Sequence, residues 1–182
     1  MNRVFSFDAE TNGLWGQAFA IGALVLEGDG LEVARFIGRC PIEGAIDPWV
    51  EANVLPQLTS IAVTHGDYKS LLADFACFYL THKTGADMVV HLGYIVEAKI
   101  LRDMHELGLI GNWDGPYPLL DISGHLQQAG EDPISVADCL QKYSIGLRGE
   151  YNGGQHNPLY DSEAAARVYL HLRSQMAAKQ RT

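Results

Sequence analysis

Two carboxylates one residue apart, Asp8 and Glu10, stand at the end of an apolar and aromatic run, residues 3–7, near the start of this 182-residue chain. On an extended backbone alternate residues face the same side, so the pair converges on one point. Two carboxylates aimed at one point repel each other unless a cation lies between them. Oxygen ligands at that density suit a hard ion such as magnesium or manganese. Taken alone, the stretch reads equally well as a strand ending in an acidic turn, with Asn12-Gly13 as the turn.

A second pair with chemical potential lies near the other end, in His156-Asn157-Pro158-Leu159-Tyr160-Asp161. Pro158 suits the first turn of a helix, and Ala164, Ala165, Val168, Tyr169 and Leu172 supply its buried stripe. Asp161 then falls on or near the first turn, held toward a metal cluster, while His156 stands in the entering loop, free to approach a reacting water. The ordinary readings are that His156 caps the helix and that Asp161 favours the helix field.

The elements that must position these groups follow from pattern and punctuation. Residues 18–26 form a second strand, and Gly28 and Gly30 permit a tight return into a third, 31–39. Prolines break the next region around a short helix, 49–54. A helix over 67–79 is followed by a short buried strand at 87–91 and another helix at 96–107. A strand at 117–121 precedes helices at 123–128 and 135–142, the second opened by Ser135 with Asp138 three residues on. Residues 146–155, with four glycines, form a loop expected to move and to be ordered by substrate. Strands alternating with helices give an α/β fold, and the junction from His91 to Glu97 lies at the carboxyl end of a strand, where sites collect in open α/β sheets.

Composition bounds the function. At 47% hydrophobic residues the chain supports one sizeable core, so a single domain over 1–182 is expected, with 177–182 a fraying tail. The net charge of −9 does not advertise a broad nucleic-acid or anionic-membrane surface. Cys40, Cys77 and Cys139 are far apart and without a CxxC pair, so they read as small core hydrophobes in a reducing compartment. No apolar run approaches a spanning length, and no room precedes the first strand for a signal sequence, so a cytoplasmic protein is expected.

With these motifs in place, the chain resembles the DEDD superfamily of 3′-to-5′ exonucleases in its histidine-containing branch. The resemblance rests on Asp8-Ala9-Glu10 inside Phe7-Asp8-Ala9-Glu10-Thr11-Asn12-Gly13-Leu14, and on His156 followed five residues later by Asp161. The tyrosine-type branch would place Tyr where Asn157 stands. The middle motif departs from the family pattern, in which an Asp lies five residues after a His. From His91 that count reaches Val96, and Glu97 is the nearest carboxylate. The resemblance assigns Glu97 as the middle ligand, with Asp103 as fallback, and is similar in this respect to compact exoribonucleases related to ribonuclease T.

The resemblance implies a ribonuclease H-like mixed sheet flanked by helices and two Mg2+ or Mn2+ ions held by Asp8, Glu10, Glu97 and Asp161. Two such ions ~3.5–4 Å apart activate a water and stabilise the leaving 3′ oxygen. His156 is the expected general base. The expected partners are single-stranded RNA or DNA 3′ ends, with RNA preferred, and a homodimer is admitted alongside a monomer. A catalytically weak nucleic-acid-binding module is the competing class. Candidate substrate contacts are Asn12, Leu14 and Trp15 beside the acidic strand, His91 at its strand end, and Arg148 as a phosphate contact. Trp15 offers a stacking face for a base, though it equally suits packing of the turn. Asp121 is expected to cap a helix and not to serve as a fifth ligand.

Overall fold

The computed structural model describes residues 3–149, 151 and 154–179. Strand β1, Arg3–Thr11, runs through the centre of a five-stranded mixed sheet. Strands β2, Ala18–Leu26, and β3, Glu32–Arg39, follow as the expected antiparallel meander. Strands β4, Ala86–Val90, and β5, Leu119–Asp121, lie parallel to β1 on its other side, giving the order β3-β2-β1-β4-β5.

Among the described residues six helices complete the fold: α1, Pro48–Asn53; α2, Tyr68–His82; α3, Val96–Glu106; α4, Ile122–Ala129; α5, Val136–Lys142; and α6, Pro158–Lys179. A 3-10 turn, Leu55–Leu58, follows α1. The alternation of β1 feeds two cores. Phe5, Phe7 and Ala9 pack with Leu71, Leu72 and Phe75 of α2 on one face, whereas Val4 packs with Ala164, Ala165 and Val168 of α6 on the other. Asp8 and Glu10 share the parity of Val4 and so belong to the α6 face.

Several boundaries differ from the sequence expectation in ways that matter. Strand β1 continues through the acidic pair: Asp8 is in register with Gly22 and Glu10 with Ala20, so the carboxylates sit in the ladder and not in a turn. Strand β5 starts at Leu119, two residues late: Tyr117 is fully exposed, and Pro118 has no N–H to give to the ladder. Cys77 is exposed on α2 instead of joining the core, while Cys40 and Cys139 are buried as expected. Helix α6 persists to Lys179, and the remaining tail lies outside the described residues. Among the described residues no helix is long and apolar enough to cross a membrane.

Candidate metal centre and active site

Two elements bring three of the acids together. Strand β1 supplies Asp8 and Glu10, and the first turn of α6 supplies Asp161. One carboxylate oxygen from each lies within 4.8 Å of the other two. The approach of α6 depends on Gly22, opposite Asp8 on β2. A Cβ there would fall 2.5 Å from the backbone of Pro158 and Leu159. The glycine therefore admits the helix N-terminus directly onto the strand, and the buried Ser162 hydroxyl, whose one proton is shared between the Gly22 carbonyl at 3.0 Å and the Pro158 carbonyl at 2.5 Å, fastens it there.

Glu97 reaches the centre from the other side. Pairing between β1 and β4 ends at Ser6 and Val89, which leaves the later backbone of β1 without a β4 partner. Glu97, on the first turn of α3 and buried, fills this gap: its Oε1 accepts a hydrogen bond from the Ala9 N–H at 3.1 Å. It lies beside the three-acid set and acts on it electrostatically. Burial, then the charges of Asp161, Glu97 and Glu10, push the Asp8 carboxyl well above its ordinary range. Burial and Asp161 raise Glu10 to about 8. Burial raises Glu97 to about 8 against the pull of the Ala9 hydrogen bond, and raises Asp161 to about 7. No lysine or arginine lines the cleft among the described residues. A partly buried, all-oxygen donor set with no lysine or arginine lining it among the described residues is chemically matched to a hard divalent cation, and this cluster is able to coordinate a metal ion.

His156 stands at the edge of the acids, its Nδ1 3.9 Å from Glu10 Oε2. Its backbone adopts a left-handed conformation, φ 69°, uncommon for a residue with a side chain. The Asp161 carboxylate accepts the His156 N–H at 2.8 Å, so the acid and the imidazole are tied to one another. Asn157 caps α6 in place of the histidine: its Oδ1 accepts from the N–H groups of Leu159, at 3.1 Å, and Tyr160. Burial lowers the His156 pKa below the usual 6.5, which favours the neutral, proton-accepting ring.

The other candidates divide between the cleft and its supports. Leu14 and His91 line the cleft. His91 also joins Nε2 to the Pro133 carbonyl at 2.9 Å, linking the end of β4 to the segment before α5. Trp15 is 69% exposed and lies outside the cleft wall. Asn12 uses both ends of its amide on backbone, donating to Ala45 O at 2.9 Å and accepting from Asp47 N–H at 2.8 Å. Arg148 directs its guanidinium to the Gly30 carbonyl, at the hairpin on the opposite rim of the sheet. Asp121 caps α4 through Ser123 N–H and also accepts from Leu92 and Gly93 N–H groups, which together outweigh burial and hold its pKa below the ordinary range. Asp103 bonds to Tyr68 and Lys99 and is absent from the cleft wall.

Three residues of the site carried little or no signal of their own in the sequence reading. Trp49 of α1 lines the cleft and packs edge-on to His156. Gly22 could have been suspected from a lone glycine inside an apolar strand, a mark of close backbone approach. Glu163 is almost fully buried on α6, where its carboxylate accepts from Arg148 N–H at 2.8 Å, Gly149 N–H at 3.0 Å, the Tyr151 hydroxyl and Arg167 Nε. It thereby anchors the start of the segment that ends in His156, and only the folded chain reveals that convergence.

No protein-family model matches the chain, and no curated protein sequence matches it. Among solved structures, it is similar to one described as exonuclease X in complex with 5′ overhanging duplex DNA. That likeness has a TM-score of 0.64 at 18% sequence identity and covers 97% of this chain and 93% of the other. The mixed sheet flanked by helices is ribonuclease H-like.

Proposed function

We propose that the protein is a divalent-metal-dependent 3′-to-5′ exonuclease of the histidine type that removes nucleoside 5′-monophosphates from single-stranded ends, RNA in preference to DNA. The observation that carries this reading is the convergence of Asp8, Glu10 and Asp161 on one point, with His156 at its edge. Asp8, Glu10 and Asp161, with Glu97 beside them, would hold Mg2+ or Mn2+. When bound, two such ions would acidify a water and offset charge on the leaving 3′ oxygen.

The chain's own residues then have separate tasks. His156, kept neutral by partial burial, accepts the proton of the attacking water. As the water oxygen bonds to phosphorus, the bond from phosphorus to the 3′ oxygen breaks, and that oxygen takes a proton from solvent. Asp161 holds the His156 backbone during this exchange through its 2.8 Å hydrogen bond. Leu14 and Trp49 present apolar surface to the terminal base above the acids.

Support for RNA comes from the middle motif, where Glu97 six residues after His91 resembles the compact exoribonucleases related to ribonuclease T. A DNA exonuclease is the second reading, favoured by the DNA complex among similar solved structures. Matched 5′-labelled single-stranded RNA and DNA, incubated with Mn2+ or Mg2+, test both. A descending ladder with 5′-monophosphate release is expected, faster on RNA. Faster shortening of DNA would reverse the substrate order, and a stable complex with intact oligonucleotide would favour a binding module instead. We further propose a cytoplasmic site of action, and a homodimer as one form that sizing in solution would detect.

A further inference from the structure

Resting on the exonuclease reading, we propose that the substrates are short oligonucleotides, gripped at the 3′-terminal nucleotide and not along the phosphate backbone. The cleft of about 470 Å³ over the acidic centre has the scale of a small-molecule pocket (~300–1,000 Å³), not of an extended groove. Its rim is apolar: Leu14, Trp49, Leu92 and Ile134 stand 61, 56, 47 and 71% exposed. Such surface receives bases. The partner of that chemistry, a cationic track for successive phosphates, is missing among the described residues, because no lysine or arginine lines the cleft.

The basic groups on neighbouring elements are already engaged. Lys99 on α3 pairs with Asp103, and Lys142 on α5 pairs with Glu131 at 2.7 Å. Arg148 turns to the Gly30 carbonyl. That carbonyl lies beyond Leu26, which is in register with Val4, four residues (~13 Å) back along β1 from Asp8. A longer strand therefore adds phosphates that meet no cation along the cleft wall among the described residues, and that approach a chain of net charge −9. The scissile phosphate is the exception, because the cations that Asp8, Glu10 and Asp161 would hold face it. Extra nucleotides add repulsion and little contact.

The decisive measurement is kcat/KM with Mn2+ for 5′-labelled RNAs of two, five, ten and twenty nucleotides, each over a range of KCl. The expected result is a rate constant flat or falling with length, and a log–log salt slope shallower than about −1, since each phosphate neutralised on a single strand contributes ~0.7 to that slope. A kcat/KM that climbs tenfold or more from the dinucleotide to the twenty-mer, with a steep loss in salt, overturns the inference and leaves the exonuclease reading standing. Failure to shorten any length overturns both.

Discussion

The indole of Trp49 stands perpendicular to the imidazole of His156, with ring centroids 5.3 Å apart. Each residue sits on a separately anchored segment. Asn12 holds the Asp47 backbone, and Asp47 in turn caps α1 by accepting Trp49 N–H at 2.8 Å. On the facing side, Asp161 holds the His156 N–H. The contact gives the imidazole one apolar wall and part of the burial that lowers its pKa. Replacing Trp49 by Ala should leave the fold intact, since the indole is more than half exposed, and lower kcat by ~10-fold through misplacement of the proposed base. The acidic limb of the kcat profile should move up in pH as the ring regains water. An unchanged profile would sever the indole from the chemistry.

The left-handed backbone at His156 allows a clean removal of the proposed base, because Asn tolerates that conformation better than most residues. His156→Asn should retain the melting temperature within a few degrees and lose ~10²–10⁴-fold in kcat. If His156 is the proposed base, its protonated ring would be the inactive form in the parent protein, so kcat should rise with pH through a midpoint below the usual 6.5. Stopped assays across pH 5–8 on both proteins would read this, and a variant with parental turnover would remove His156 from the reaction.

Without a cation the acidic cluster should make stability fall as pH rises. Glu10 and Glu97 move from an ordinary 4.5 to about 8, and Asp161 from 3.8 to about 7, so the folded chain holds protons that the unfolded chain has released. With more protons bound in the native state, the slope of stability against pH is negative across that window. The favourable contribution is complete below the unfolded values near 4 and is lost as pH climbs through the folded values near 7–8. Melting of chelator-treated protein should therefore occur at lower temperature at pH 8 than at pH 5, and Mn2+ should restore it most at pH 8. A metal-free melting temperature that increases over this range would contradict the burial of the cluster.

Gly22→Ala tests whether the site depends on the seat of α6. Its Cβ would press on backbone at Pro158 and Leu159, not on a side chain that can turn away. The expected cost is ~1–3 kcal/mol, or ~2–4 °C of melting temperature per kcal/mol for a chain of this size. Mn2+ affinity, followed by calorimetry, should weaken along with it as Asp161 shifts. Undiminished Mn2+ binding would show that the close approach is not needed.

The Glu163 anchor predicts a division between two variants. Burial alone would raise the Glu163 pKa, but its hydrogen bonds, that from Tyr151 first among them, hold it below the ordinary range. Glu163→Gln leaves the buried Arg167 guanidinium without a counter-charge and should cost about 3–5 kcal/mol. Tyr151→Phe removes one hydrogen bond and should cost ~1 kcal/mol while reducing kcat more than it raises KM. Equal loss in both kinetic constants would assign Tyr151 to binding instead of loop order.

Much of the frame was legible because it depends on local periodicity. The strand ending at Leu26, the return into β3 and the stripe of α6 each announce themselves within a window of ten or so residues. Glu97 was harder, because a sixth-residue carboxylate departs from the expected spacing, and only the gap left where β4 stops explains how it reaches Ala9. Arg148 and Asn12 show the limit from the other side. Their types suggest contact with a phosphate or a base, yet the Asn12 amide is taken up by a carbonyl and an N–H of a distant segment, and one guanidinium nitrogen of Arg148 meets the Gly30 carbonyl at 3.4 Å.

By itself the sequence determined that Asp8 and Glu10 share a face, since a strand repeats every two residues, and that Asp161 opens a helix whose loop carries His156. Tertiary structure alone decided which face that helix covers, that Gly22 lets it close on the acids, that Trp49 meets His156, and that Glu163 gathers the loop. The physical reason is that periodicity specifies the direction of a side chain relative to its own backbone, whereas the partner it meets is set by packing between segments far apart in the chain.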